Sequence, residues 1–203
     1  MASGNTGGWG SERPDRRDHK KHHATLPHMT AIEVDAHRID PLGVDDIRHY
    51  EQLAAEIYQL LSDEHTVQFL PEKKLFSISD ARNWLGAAIL NFHSGRNQVH
   101  FIRSKLTGAL IGVIDVIPPA VVQEHYRLAE YPFFIEFYLK GSARGKALMS
   151  KLLPKVVAHL RRDGIGRIAA VVNRNNLAAS KVLRRSGFKL AGNFDMMQDL
   201  YRC

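Results

Sequence analysis

The sequence predicts an α/β fold, a mixed central sheet flanked by helices in a single domain, behind a disordered N-terminal tail. Three observations lead there. Between Phe133 and Phe188 the chain alternates strand, basic glycine turn, long amphipathic helix, strand and asparagine-started helix. Ahead of that stretch, Gln98 to Arg103 and Ala109 to Ile117 carry strand patterning around a Thr107-Gly108 turn, the signature of a hairpin. The composition is that of a soluble globular chain, with 203 residues, 44% apolar and 24% charged, ample for one buried core.

Residues 1–28 hold Gly-rich and Ser-rich segments, mixed charge and little to bury, so they read as a disordered extension. His19, His22 and His23 cluster there without acidic or cysteine partners, and no metal site is expected from them. From residue 29 the patterning is orderly. Ile32, Val34 and Ile39 suggest a first strand. Asp45 to Ile57 reads as a helix with Ile47, Tyr50, Leu53, Ala54 and Ile57 on one face. Ser77-Ile-Ser-Asp80 is a capping-box start for a helix whose Ala81, Trp84, Leu85, Ala88, Ile89 and Phe92 recur at helical spacing. Pro118 to Pro132 is long enough for a lid or a short helix. Phe133 to Leu139 is an aromatic strand. Leu148, Met149, Leu152, Leu153, Val156, Val157 and Leu160 then share one helical face, with Pro154 expected to kink the helix. Arg167 to Val172 is a β-branched strand, Asn176 to Ser186 a helix stopped by Gly187, and Phe194 to Tyr201 a last strand. A crossover helix between two strands predicts parallel pairing in this half.

Charge is unevenly spread. Residues 140–189 hold thirteen Lys and Arg against one acid, Asp163, while the whole chain carries only +7. A field of one sign favours an anionic partner: a nucleotide cofactor, RNA or a membrane surface. The blander reading is a solvated basic face. No apolar run approaches the twenty or so residues of a membrane span, and no signal peptide opens the chain, so no membrane partner is expected. The one cysteine, Cys203, excludes a disulfide scaffold and fits a reducing, cytoplasmic setting.

The turn reads Lys140-Gly141-Ser142-Ala143-Arg144-Gly145-Lys146-Ala147-Leu148-Met149. A glycine-bearing turn that opens a helix presents unpaired N–H groups and the positive helix end to a phosphate. A P-loop would need G-x-x-x-x-G-K followed by Ser or Thr. Gly141 to Lys146 is one residue short, and Ala147 cannot ligate magnesium. The dinucleotide fingerprint G-x-G-x-x-G is absent as well.

What remains resembles the GNAT superfamily of acetyl-CoA-dependent N-acetyltransferases. Their pyrophosphate turn, [QR]-x-x-[GA]-x-[GA], lies over Arg144, Gly145, Lys146, Ala147, Leu148 and Met149. Their later motif, N-x-x-[SA] followed by G-F, is matched by Asn176, Ala179, Leu183, Gly187 and Phe188. Leu70-Pro71, the helix from Asp80, and Leu183 in place of the common tyrosine look most like the branch that acetylates ribosomal-protein N-termini. The resemblance implies a GNAT-like sheet, an acetyltransferase domain over residues 29–203, and acetyl-CoA as cosubstrate with no metal. Three positions depart from the pattern. Ala147 replaces the second glycine, which helical backbone angles would tolerate; Met149 stands where Gly or Ala is usual; and Leu183 removes the tyrosine proposed to protonate the CoA thiolate.

The resemblance further implies direct attack by a neutral amine on the thioester in a ternary complex. Amides from Arg144 to Met149 would hold the pyrophosphate, the backbone at Tyr138 and Leu139 the pantetheine arm, and Asn176 would bond that arm. Glu136 is the candidate base, because it sits on the strand leading into the turn and shares a face with Phe134. Its alternative role is an ion pair with an Arg or Lys on a neighbouring strand, and a bound water can replace any single base. Tyr138 and Tyr201 are the candidate acids for the thiolate, each also readable as a packed aromatic. His100 and His125 are bases by type but lone histidines, Trp84 reads as a helix anchor, and Asn173 and Asn175 as turn residues. Glu124, His125 and Glu130 are positioned in sequence to meet a cationic substrate or to lie on a loop surface. The expected acceptor is a primary amine, above all a protein or peptide N-terminus, served by a monomer or homodimer. The alternatives are an RNA-docking enzyme acting on aminoacyl-tRNA, a small-molecule or antibiotic amine acetyltransferase, and a catalytically silent CoA-binding protein.

Overall fold

A computed structural model describes residues 30–203, so the tail and its histidines lie outside the described residues. One eight-stranded sheet runs in the order β1-β2-β3-β4-β5-β6-β8-β7. The expected first strand is two: β1 (Ile32–Val34) turns at Asp35, left-handed at φ 50°, into β2 (His37–Pro41). The expected helix from Asp45 is also divided, into α1 (Val44–Arg48) and α2 (Tyr50–Leu61), because His49 leaves helical angles at φ −106°, ψ 33°. Leu53, Ala54 and Ile57 of α2 are buried, whereas Ile47 of α1 stays exposed. A short α3 (Glu64–Val67) and a 3-10 turn over Pro71–Lys73 follow, and neither carries a periodic signal.

Helix α4 (Ile78–His93) begins as its sequence requires. Ser77 Oγ accepts from the Asp80 amide at 3.1 Å, and the Asp80 carboxylate accepts from the Ser77 amide at 2.9 Å. Strands β3 (Gln98–Ser104) and β4 (Leu110–Ile117) form the expected hairpin, and the following segment folds as α5 (Pro119–His125). Strand β5 spans Phe133–Leu139 and helix α6 Leu148–Arg162. Helix α6 runs through Pro154 as one element, the lost bond falling on the Ser150 carbonyl. Then come β6 (Ile168–Asn173), α7 (Leu177–Arg185), β7 (Lys189–Asn193) and β8 (Gln198–Arg202). The expected last strand is therefore a hairpin. Its first arm, Lys-Leu-Ala-Gly-Asn, is wholly exposed, so no buried period marks it.

Two apolar layers enclose the sheet. On one face α6 buries Leu148, Met149, Leu152, Leu153, Val156, Val157 and Leu160 against Ile114, Ile135 and Ile168, roughly 1.5–3 kcal/mol for each such side chain. On the other, α2 and α4 cover Val99, Phe101, Val113 and Tyr138.

The decisive feature lies between β5 and β6. They pair in parallel only at Phe133↔Ile168 and Phe134↔Ala169. Beyond those positions they diverge, while β5 keeps its full antiparallel ladder with β4 from Phe134↔Ile117 to Leu139↔Gly112, and β6 bonds to β8 instead. Gly112 lets β5 approach closely at the end of that ladder, since a Cβ there would sit 2.4 Å from the Tyr138 carbonyl oxygen. Gly112→Ala is accordingly expected to cost at least about 2 kcal/mol, the scale of overpacking a tight site, with a lowered thermal midpoint. A variant that melts like the parent would show that β5 does not depend on this contact.

Candidate active site

The opening between β5 and β6 continues into a cleft of about 300 Å³, walled by Tyr138, Leu139, Arg144, Gly145, Ala147, Leu148, Met149 and Asn176. Its mouth is the start of α6. The first backbone bond of that helix is Lys151 N–H to the Ala147 carbonyl at 3.3 Å, so the amides of residues 148–150 precede the helical ladder and remain available for an anion. Gly145 (φ 75°) and Ala147 (φ 53°) are both left-handed. Ala147 therefore lacks the helical angles that would make alanine tolerable in place of glycine: the turn itself needs a positive φ there, and the Cβ makes it strained. Met149 is 4% exposed and points into the core under α6, so it does not block the cleft.

The turn is braced from α3. Asp63 caps that helix, accepting from the His65 amide at 3.1 Å and the Thr66 hydroxyl at 2.9 Å, and also from the Gly141 amide at 3.2 Å. Burial pushes the Asp63 carboxyl up, but these three donors outweigh it and hold it below the ordinary range. The same Thr66 hydroxyl lies 3.1 Å from the Leu139 carbonyl, its single proton shared between the two acceptors, and Arg144 Nη1 donates to the His65 carbonyl at 2.6 Å. Gly141 serves this brace rather than a phosphate, because a Cβ on it would lie 2.8 Å from Asp63 Oδ2.

A second cavity, about 440 Å³, opens on the α4 face and is walled by Lys73, Asn97, Asp115, Phe134, Glu136, Tyr126 and others. A narrow space between β5 and β6 lies between the two and shares wall residues with each, Leu70 with both and Glu136 with the second cavity. Glu136 Oε2 meets Lys73 Nζ at 2.9 Å, each side chain about one-quarter exposed. Burial alone would depress the Lys73 ammonium, but the charge of Glu136, then Asp115 and Glu72, raises it above its usual value. Across the ladder from Glu136 stands Asp115, 9% exposed, whose Oδ2 accepts from Asn97 Nδ2 at 2.9 Å. Burial, then the Glu136 charge, pushes the Asp115 carboxyl up to about 7 against the partial offset of Lys73.

Residues 46–189 match the family model described as an acetyltransferase (GNAT) domain. The chain belongs to the GNAT acetyltransferase family. It is thus an acetyl-CoA-dependent acetyltransferase. No curated protein sequence matches it significantly. Solved structures share the fold at low identity. A GNAT-family acetyltransferase from Bacillus anthracis superposes with TM-score 0.62 at 17% identity, over 85% of this chain and 95% of that one. The ribosomal-protein-S5-alanine acetyltransferase from Vibrio fischeri gives 0.65 at 14%, over 85% and 95%. The microcin C7 self-immunity acetyltransferase MccE, in complex with acetyl-CoA and AMP, gives 0.65 at 17%, over 89% and 98%.

Within the GNAT domain the sequence-derived residues separate clearly. Tyr138, Leu139, Arg144, Gly145, Ala147, Leu148, Met149 and Asn176 converge on the cleft, while Lys146 is exposed outside it. Asn176 caps α7, its Oδ1 accepting from the Ala179 amide at 3.1 Å, which leaves its Nδ2 for a ligand. Glu136 lies in the second cavity and is ion-paired, but its partner Lys73 comes from the 71–73 turn, not from a neighbouring strand. Tyr138 is buried beside it, with its hydroxyl proton held well above the usual value by burial and then by the Glu136 charge. Tyr201 sits in the core under α6, outside all the cavities described above. His100 is fully buried, His125 borders the second cavity, and Trp84 anchors α4 against the core. Glu124 is tied to Arg96 at 2.5 Å and Glu130 to Arg167 at 3.2 Å. Asn173 Oδ1 accepts from the Asn175 amide, a turn role. Sequence reasoning missed Thr66, Lys73, Asp115, Lys181 and Arg185. The i, i+4 spacing of the last two on an asparagine-capped helix was a usable signal; the first three reach the site only through tertiary contacts. Among the described residues no cluster able to hold a metal occurs, and no helix is long and apolar enough to cross a membrane.

Two predictions follow the geometry. Left-handed Ala costs roughly 1–2 kcal/mol and Gly regains unfolded-state entropy of about 0.4–1 kcal/mol. Ala147→Gly should therefore raise stability by about 0.5 kcal/mol, and Ala147→Val should lower it, as read by denaturant midpoints; the reverse order would rule out strain at this position. Asp115 titrates near 3.9 when unfolded and at about 7 when folded, so the stability it confers is complete below about pH 4 and lost as pH rises through 7. Asp115→Asn should thus gain on the parent progressively from pH 4 to 8, by an amount on the order of a few kcal/mol. A difference that stays flat with pH would contradict the burial argument.

Proposed function

We propose that this enzyme moves an acetyl group from acetyl-CoA to a primary amine, specifically a protein or peptide N-terminus, by direct attack in a ternary complex. The observation that carries the reading is the opening between β5 and β6, which lies between the basic cleft and the carboxylate-bearing cavity and shares wall residues with each, Glu136 among those of the cavity. Amines and thioesters entering from opposite faces meet there.

The cleft fits coenzyme A chemically. The amides of residues 145–150 suit the pyrophosphate, and Arg144, Lys181 and Arg185 on the same cleft add charge that amides lack. The backbone at Tyr138 and Leu139 suits the pantetheine amides, and one lone pair of the Leu139 carbonyl is already committed to Thr66. Asn176 offers its Nδ2 to that arm. In this reading the Glu136–Lys73 ion pair holds the amine at the carboxylate-bearing cavity, and preorganised N–H groups near Leu139 face the oxyanion, an effect of about 3 kcal/mol where it has been removed elsewhere. Likeness to ribosomal-protein acetyltransferases supports a protein N-terminus as acceptor.

The test is incubation with labelled acetyl-CoA and a peptide library, read by mass spectrometry for N-terminal acetylation. Acetylation of small amines alone would replace the peptide acceptor, and absence of all transfer would end the reading. Arg144→Ala and Arg185→Ala should each weaken CoA binding about 10- to 100-fold, the worth of a charge-assisted bond, with kcat at saturation nearly kept. Unchanged calorimetric affinity in both would remove the phosphate from this cleft.

A further inference from the structure

Glu136 has a companion that the acetyl-transfer reading leaves without a task. Asp115 on β4 is its directly opposed partner on the same sheet face, and it borders the same cavity. One Asp115 oxygen is satisfied by Asn97 at 2.9 Å. The other, Oδ1, is buried with no side-chain donor on it, the Val116 amide being the one further donor that acts on this carboxyl. A buried carboxylate oxygen so sparsely bonded is costly as an anion, so it calls for a proton or a cation. Several charged or titratable groups surround it. Glu136 and Tyr138 face it from β5, and Glu72 and Lys73 from the 71–73 turn. Arg96 comes from the loop before β3, and Glu124 and His125 from α5. Arg96 and Glu124 neutralise one another. Lys73 is engaged by Glu136 at 2.9 Å. Glu136 and Asp115 thus share one ammonium, and with Glu72 counted the acids around the cavity outnumber its cations.

We propose that Asp115 is the group that takes the proton of the acceptor's ammonium, while the Lys73–Glu136 ion pair holds the amine beside it. This assignment rests on the amine-acetylation reading and adds a catalytic residue to that site. An acceptor arriving as R–NH3+ supplies the missing charge. One N–H proton passes to the Asp115 carboxylate, giving R–NH2 and a neutral carboxyl. The freed lone pair forms the C–N bond at the thioester carbon as the C–S bond breaks. The second N–H proton ends on the sulfur, giving amide and CoA thiol, and Asp115 returns its proton to water as product leaves. A base works best when its conjugate acid titrates near the working pH. Asp115 meets that requirement through burial and the Glu136 charge, whereas the Glu136 carboxylate is already occupied by Lys73.

The experiment compares the full-length parent with Asp115→Asn and Glu136→Gln in pH profiles of kcat/KM for an acetylated peptide, with CoA affinity measured calorimetrically alongside. The parent should show a rising limb with a midpoint near pH 7. Asp115→Asn should lose that limb and fall about 10²- to 10⁴-fold while binding CoA as the parent does. Glu136→Gln should keep a limb, moved to lower pH, with a raised KM for the peptide. An Asp115→Asn enzyme with parental rate and profile overturns the assignment, as does a limb that vanishes only in Glu136→Gln. Should Asp115→Asn fail to fold, carboxyl carbon NMR of the CoA-bound parent decides, since the absence of an aspartate titrating near pH 7 also overturns it. A parent that binds CoA yet acetylates no amine fails the transfer reading itself, and the Asp115 role falls with it. Parental turnover in Asp115→Asn removes only the latter.

Discussion

Strand β5 holds β4 along its whole length and releases β6 after two residue pairs. That separation is the constraint on which the rest depends. Inside a continuous sheet the backbone groups of Glu136 to Leu139 would be bonded on both edges and sealed between the two helical layers. Parted from β6, one edge of β5 faces an opening in the sheet, with the cleft at the start of α6 on one side and the carboxylate-bearing cavity on the other.

An opening in a sheet loses ladder bonds and interior contacts, so something must hold it. On one side α6 and α7 form a wall whose apolar stripe is buried against β5 and β6. On the other, Asp63 and Thr66 of the short α3 segment bond to Gly141 and the Leu139 carbonyl, pinning the end of β5 and the turn after it. The brace works through a deprotonated carboxylate with three donors, so it is directional as well as strong. The same elements that keep the channel open therefore fix the amides at the start of α6.

Charge divides along the channel. Cations from the turn and α7 gather at the cleft, and the acids that matter, Glu136 and Asp115, lie across the sheet with a single lysine between them. Under the proposed function the arrangement draws a polyanionic thioester to one face and a cationic amine to the other, which keeps the two reactants from competing for one site. Buried like charges on neighbouring strands cannot both stay ionised cheaply, and in that proposal the acceptor's own charge resolves the conflict.

Much of this was legible in the residues. The capping box at Ser77, the hairpin around Gly108, the β5 strand, the seven-residue apolar stripe of α6 and the Asn176 cap all follow from local pattern, because each is decided by neighbours within four or five positions. The family motifs lie in the same stretch and located the cleft. Local pattern could not show the left-handed φ of Ala147, which the turn's closure imposes, nor α3, whose four residues are too few for periodicity and whose Asp63 finds Gly141 from 78 positions away. The exposed β7 arm lacked any buried period. Above all, the register that sets Asp115 opposite Glu136 and brings Lys73 to both is a long-range matter. The sequence by itself determined the helices and strands that carry a local pattern and where a glycine turn opens α6; tertiary structure alone decided how the acids pair and where the sheet opens, because strand register and splay are set by packing between segments far apart in the chain.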